Sequence, residues 1–152
     1  LSRMMRHVLY DSGEQSATLD KEVEFLTNYI ELMRIRYIDD VDIRFTFPDM
    51  NICRRVKLPP LLLIVLIENA FKHGISYDKQ SYIHISLYVD GNELTCLVVN
   101  SRHIKQAAEH SGIGLSNITR RLDLLFGSRY MLDIDDVDDK KYVVKLVIPV
   151  TP

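Results

Sequence analysis

Residues 59–74 read PPLLLIVLIENAFKHG, and residues 111–117 read SGIGLSN. The first stretch decides the fold. Its apolar run continues for about fourteen residues, too long for a buried strand, so it predicts a helix. Pro59–Pro60 suits the helix start, where a missing N–H costs nothing, and Gly74 suits a left-handed C-terminal cap. On such a helix Asn69 shares a face with Val65, one turn back, and with Lys72 and His73, one turn on. A polar ledge therefore emerges from a buried rod. An amide oxygen is a hard ligand for Mg²⁺, which keeps several waters and takes one or two protein oxygens plus substrate phosphates. Lys72 would neutralise phosphate charge. The plainer reading of the same residues is an exposed Glu68–Lys72 ion pair with Asn69 as a polar helix-end residue.

In the second stretch Gly112 and Gly114 flank Ile113 just before Leu115-Ser116-Asn117-Ile118, where a second helix is expected. Glycines at that junction permit positive φ and close approach to an anion, and the helix start aims free N–H groups at it. Gly-x-Gly also serves as an ordinary tight turn, so its weight comes from the company of the first stretch.

Working outward, Leu19, Val23, Leu26, Ile30, Met33 and Tyr37 recur at helical spacing after a candidate N-cap, Thr18, with Asp20 and Glu22 in the first turn. Val41, Ile43, Phe45 and Phe47 alternate with polar residues up to Pro48, as in a half-buried strand. Ile83–Val89, the turn Asp90-Gly91-Asn92 and Leu94–Val99 predict a hairpin, and residues 131–137 with 143–150 predict another around Asp138–Asp139. The acidic residues Asp133, Asp135, Asp136, Asp138 and Asp139 read as a solvated hairpin tip. Leu1–Tyr10 reads as the end of a helix entering from upstream, followed by a polar linker to Ser16. Two domains result: residues 1–16, the end of an upstream helical region, and residues 17–152. The order α, α, β, α, β, β, α, β, β predicts an α/β (α+β) two-layer sandwich, a mixed sheet of about five strands covered on one face by three helices.

Composition excludes several classes. Nineteen Lys and Arg against twenty-one Asp and Glu give a net charge of −2, so no basic field attracts nucleic acid or an anionic membrane. Two distant cysteines, Cys53 and Cys96, predict reduced thiols rather than a disulfide framework or a zinc site. The run Leu58–Ile67 falls short of the roughly 20 residues a membrane helix needs. The five histidines are scattered, and no Ser or Cys sits in an elbow-like context for a nucleophilic triad. Leu1 in place of an initiator methionine predicts a piece of a longer protein.

Taken together, ENAFKHG and SGIGLSNITRRL resemble the N box and glycine box of the ATP-binding domain in LytS-type sensor histidine kinases, of the GHKL superfamily. LSRMMRHVLY, LDKEVEFLTNYIELMRIRY and KLVIPV are similar to further family segments in the same order, so the resemblance covers nearly the whole chain. It implies a Bergerat ATP-binding fold. It also implies ATP held with Mg²⁺ on Asn69, Lys72 and His73 facing the phosphates, Gly112, Gly114 and Leu115 forming the lid's hinge and the start of its helix, Ser116 and Asn117 near the phosphates, and Ile113 among the nucleotide-binding residues. Glu68 would polarise the attacking histidine or order the metal's water shell, and residues 101–111 would be a lid. The partners implied are the phosphoacceptor helix of the parent kinase, a response regulator and a second copy in a homodimer. The domain would be cytoplasmic and its parent anchored in the bacterial inner membrane.

Three departures qualify these expectations. Where the family has Asp-x-Gly at the end of the central strand, this chain has Asn100-Ser101-Arg102, an acceptor for the adenine amino group but an uncharged one. Where ATP-hydrolysing relatives carry a glutamate one turn before the asparagine, position 65 is Val, which favours kinase over ATPase. The Pro-His-Phe acceptor motif is missing, and His7, His84, His103 and His110 match no family position, so the piece would bind ATP without carrying its own acceptor. A degenerate nucleotide-binding or dimerisation module without kinase activity is the alternative, with a GHKL-type ATPase behind it.

Overall fold

The computed structural model describes residues 16–37, 41–75, 80–102, 113–136 and 140–151. The upstream segment and linker assigned to residues 1–15, the 103–112 stretch and the Asp138–Asp139 turn lie outside them.

The chain forms β1 (Ala17–Thr18), α1 (Leu19–Arg36), β2 (Val41–Thr46), α2 (Met50–Cys53) and β3 (Lys57–Leu58). There follow α3 (Ile64–His73), β4 (Ser81–Asp90), β5 (Glu93–Ser101), α4 (Ile113–Phe126), β6 (Met131–Asp135) and β7 (Lys141–Pro149). Five strands make one sheet in the order β2-β4-β5-β7-β6. It is mixed, as expected: β2 runs parallel to β4, with Ile43 opposite Ile83, and every other pairing is antiparallel. Gly91, at φ 59°, closes the β4–β5 hairpin in the left-handed region that its tight turn requires.

One face of the sheet is buried because each central strand alternates. Ile83, Ile85 and Leu87 on β4, Leu94, Cys96 and Val98 on β5, and Val144, Leu146 and Ile148 on β7 all point into one core. Three long helices supply the other half: Leu19, Val23, Leu26 and Ile30 from α1, Ile64, Leu66, Ile67, Ala70 and Phe71 from α3, and Leu115, Ile118 and Leu122 from α4. Tyr29 of α1 meets Phe71 of α3 edge to face at 5.7 Å, the favoured geometry for two ring quadrupoles. Cys53 and Cys96 are free and buried, and burial pushes the Cys96 thiol up to about 12. On the open side of the sheet His84 bonds Asp42 across the β2–β4 pair at 3.1 Å, which holds the Asp42 carboxyl below its ordinary value.

Several local expectations need correction. The helix of residues 59–74 begins only at Ile64. Leu58 is still in β3, paired with Ala17, and Leu61 sits at φ 59°, a left-handed conformation that no helix interior contains. Gly74 is no left-handed cap: its φ is −92°. It is glycine because a Cβ there would lie 2.7 Å from the Ala70 carbonyl and 3.0 Å from the Asn100 side chain. Thr18 occupies the N-cap position with extended backbone, yet its side chain makes no capping bond, and Glu22 is fully buried rather than facing solvent at the helix start. The short elements β1, β3 and α2 were not expected from the sequence.

Candidate active site

The helix α3 hides Ile64, Leu66, Ile67, Ala70 and Phe71 against the sheet, which rotates the remaining positions outward. Glu68, Asn69 and His73 are half-buried, Lys72 is exposed, and Val65 is half-buried against the core. The polar ledge read from the sequence therefore exists, and Asn69 is reachable from outside rather than walled off. A single amide oxygen on a rigid helix fits a cation that keeps its waters and takes its other ligands from phosphate.

The base of this ledge is built by the end of β5. Asn100 is 1% exposed, and its Nδ2 donates to the Ser101 carbonyl at 2.9 Å, which fixes the amide so that Oδ1 points the other way. Oδ1 is buried and has no hydrogen-bond partner among the described residues. A buried acceptor left unsatisfied costs about 1–3 kcal/mol, which an N–H donor reaching it would relieve. An adenine amino group is such a donor. Gly74, just past Lys72 and His73, packs against Asn100, so the acceptor lies at the C-terminal end of α3.

Ser101 joins these parts. Its hydroxyl donates to the Gly74 carbonyl at 2.6 Å and accepts from the Tyr82 N–H at 3.1 Å, tying the end of α3 to the start of β4. Ser101 closes β5 and is 5% exposed, so the lid boundary expected there is wrong. Arg102 also belongs to the sheet margin, with its N–H on the Lys140 carbonyl at 3.1 Å and its guanidinium on the Asp136 carbonyl at 2.5 Å. No sequence pattern announces the Ser101 pin, because it depends on three segments meeting.

Of the glycine-box residues, Gly112 lies outside the described residues, and Ile113 and Gly114 open α4, two residues earlier than the sequence suggests. Leu115 packs into the core at 7% exposure, so only its backbone could meet a ligand, whereas Ser116 and Asn117 are exposed on the first turns. The helix α4 packs beside α3. Among the described residues no cluster of three metal-ligating side chains occurs. Asn69 offers its amide oxygen on the outer side of α3.

The Asn100 geometry gives an expectation opposite to a simple family argument. Asn100→Asp restores the family's residue but places a carboxylate oxygen against the Ser101 carbonyl. Urea unfolding should show a loss of about 1–2 kcal/mol, since a donor is replaced by a repelled acceptor. Unchanged stability would mean that the amide orientation matters little.

A sequence profile described as "Histidine kinase" matches residues 1–41. The "Sensor protein LytS" of Staphylococcus haemolyticus is 28% identical over 152 residues, 91% of this chain and 26% of that protein. The chain is a homologue of the LytS sensor histidine kinases. It spans about a quarter of the length of the curated LytS relatives it matches. Among solved structures, the catalytic domain of histidine kinase ThkA superposes with a TM-score of 0.63 at 16% identity, over 90% of this chain and 97% of that one. A structure of ThkA in complex with the response regulator protein TrrA aligns at a TM-score of 0.59 and 14% identity, covering 96% of this chain and 46% of that one. The α/β fold with a mixed five-stranded sheet is that of histidine kinase catalytic domains.

Proposed function

We propose that this chain is the ATP-binding catalytic portion of a bacterial two-component sensor kinase, passing the γ-phosphoryl of ATP to a histidine on an upstream segment and thence to a response regulator. The observation that carries it is the buried Asn100 Oδ1, without a hydrogen-bond partner among the described residues, at the end of a helix whose outer face presents Asn69, Lys72 and His73. Asn100 on β5 lies against Gly74, at the C-terminal end of the helix that carries Asn69, Lys72 and His73, so one nucleotide could meet an acceptor for its base amino group and groups for its phosphates and cation.

Each residue then has a task. Asn100 would accept from the adenine amino group. Asn69 would contribute the protein oxygen to Mg²⁺, whose charge, when bound, would screen the phosphates, and Lys72 and His73 would face the phosphate chain. The N–H groups at the start of α4, from Ile113, Gly114 and Leu115, would receive phosphate oxygens, with Ser116 and Asn117 beside them. The incoming histidine nitrogen bonds to the γ-phosphorus as the β–γ bridging oxygen leaves with ADP, and positioning with charge neutralisation does most of the work. Glu68, next to Asn69, would take or orient the histidine's ring proton. Val65 leaves no base one turn earlier to activate water, which supports transfer over hydrolysis.

The remaining expectations attach to the longer protein: a homodimer, a response regulator partner as in the ThkA complex, and a membrane-anchored parent with this domain in the cytoplasm. No helix among the described residues is long and apolar enough to cross a membrane. The test is phosphotransfer in trans. The chain, mixed with γ-labelled ATP, Mg²⁺ and the parent's upstream helical segment, should place acid-labile label on a histidine of that segment. Steady phosphate release by the domain alone, with no label transferred, would support the hydrolase reading instead.

A further inference from the structure

Outside the ledge, the densest group of buried charge in the described residues surrounds the turn that precedes α3. Glu22, fully buried on α1, accepts the Leu61 N–H through Oε1 at 3.1 Å. Arg121, on α4, donates from one terminal nitrogen to the Leu61 carbonyl at 3.1 Å and from the other to the Pro60 carbonyl at 2.6 Å. Pro60 has no N–H, so every backbone polar group of the Pro60–Leu61 pair is held by a charged side chain from a different helix. Among the described residues Leu61 is the only non-glycine at positive φ, a conformation that a branched side chain keeps only when its surroundings enforce it. Burial pulls Arg121 below the usual guanidinium range, and the nearby Glu22 carboxylate opposes that pull.

We infer that Arg121 is a positioning residue for the nucleotide site: with Glu22 it clamps the Pro60–Leu61 turn and so fixes where α4 starts relative to the Asn69 face of α3. The helices α3 and α4 pack against each other, and packing of leucines alone would let α4 slide or roll. A guanidinium fork reaching two successive carbonyls sets both position and rotation, which a single ammonium cannot do. Because Glu22 belongs to α1, the same clamp makes the grip on phosphate depend on where α1 sits. The inference rests on the nucleotide reading above and adds a residue to it that touches no nucleotide.

The test uses the whole chain and three readouts: calorimetric Kd for Mg–ATP, urea stability, and amide hydrogen exchange. Wild type is titrated first; absence of binding at millimolar Mg–ATP overturns the nucleotide reading, and this inference with it. Given binding, Arg121→Met, which keeps the stem and removes the fork, should raise Kd about ten-fold at a temperature where the variant is fully folded. It should also speed exchange in residues 115–119 of α4 while leaving β5 protected. Arg121→Lys should recover part of the affinity, and Glu22→Gln should weaken binding in the same direction, non-additively with Arg121→Met. A folded Arg121→Met chain with wild-type Kd, or one whose α3, α4 and β5 lose protection equally, overturns the positioning role. Should Arg121→Met fail to fold, the inference is judged on Arg121→Lys and Glu22→Gln, and wild-type Kd in both overturns it.

Discussion

Replacing Asn69 by alanine is expected to raise the Kd for Mg–ATP on the order of 100-fold, about 2.7 kcal/mol, while leaving the fold nearly unchanged. Two separate observations produce that split. Asn69 is half-buried on the outer side of α3, so truncation removes little packing from the core residues that secure the helix. On the proposed reading it also supplies the protein oxygen to the cation, so its loss would leave Mg²⁺ held through phosphate and water. The effect should depend on the metal: in excess EDTA the wild-type and Asn69→Ala chains should bind ATP equally weakly. Calorimetry with and without Mg²⁺ checks this, and an Asn69→Ala chain with wild-type Mg–ATP affinity would remove position 69 from the site.

Gly74→Val should lower stability by about 3 kcal/mol, the upper range for overpacking a close contact, and weaken nucleotide binding as well. A Cβ at this position meets the Ala70 carbonyl at 2.7 Å, and that atom is backbone, fixed by the Gly74 N–H itself. The other obstacle is Asn100 at 3.0 Å, and any shift that relieves the contact moves the buried amide whose Oδ1 awaits a donor. The Ser101–Gly74 bond at 2.6 Å would be lost in the same movement. Urea unfolding and nucleotide titration of the one variant therefore report on a shared origin. A chain that keeps its stability would show that the α3–β5 contact yields more readily than the distances imply.

These two positions also show what the sequence reveals and what it conceals. The outer face of α3 was legible because helical period alone separates Ile64, Ile67 and Phe71 from Asn69, Lys72 and His73. The sheet was legible because residues 41–46 and 83–89 alternate and 94–99 read as a more deeply buried partner, but the strand order was not legible, and Phe47, expected on the inner face, lies past the end of β2 and is exposed. Gly74 was correctly noticed and wrongly explained. A glycine after a helix suggests backbone freedom, whereas here the backbone is ordinary and the constraint is a neighbour 26 residues away in sequence, Asn100.

The start of α3 was misplaced for a similar reason. Pro59–Pro60 has the local chemistry of a helix start, but pairing of Leu58 with Ala17 and the hold of Glu22 and Arg121 on Leu61 delay it to Ile64. Both forces come from distant segments. Arg121 was visible within GIGLSNITRRL, yet nothing in its spacing distinguishes it from the exposed Arg120 beside it. Leu115 stands inside the glycine box, but the period Leu115, Ile118, Leu122 carries its side chain into the core and leaves only its backbone for a ligand.

The most direct measurement is a calorimetric titration of the 152-residue chain with ATP in Mg²⁺, repeated in excess EDTA. The account requires saturable one-to-one binding in Mg²⁺ that weakens sharply when the metal is removed. Binding of equal strength in both buffers, or none at millimolar ATP, would contradict it.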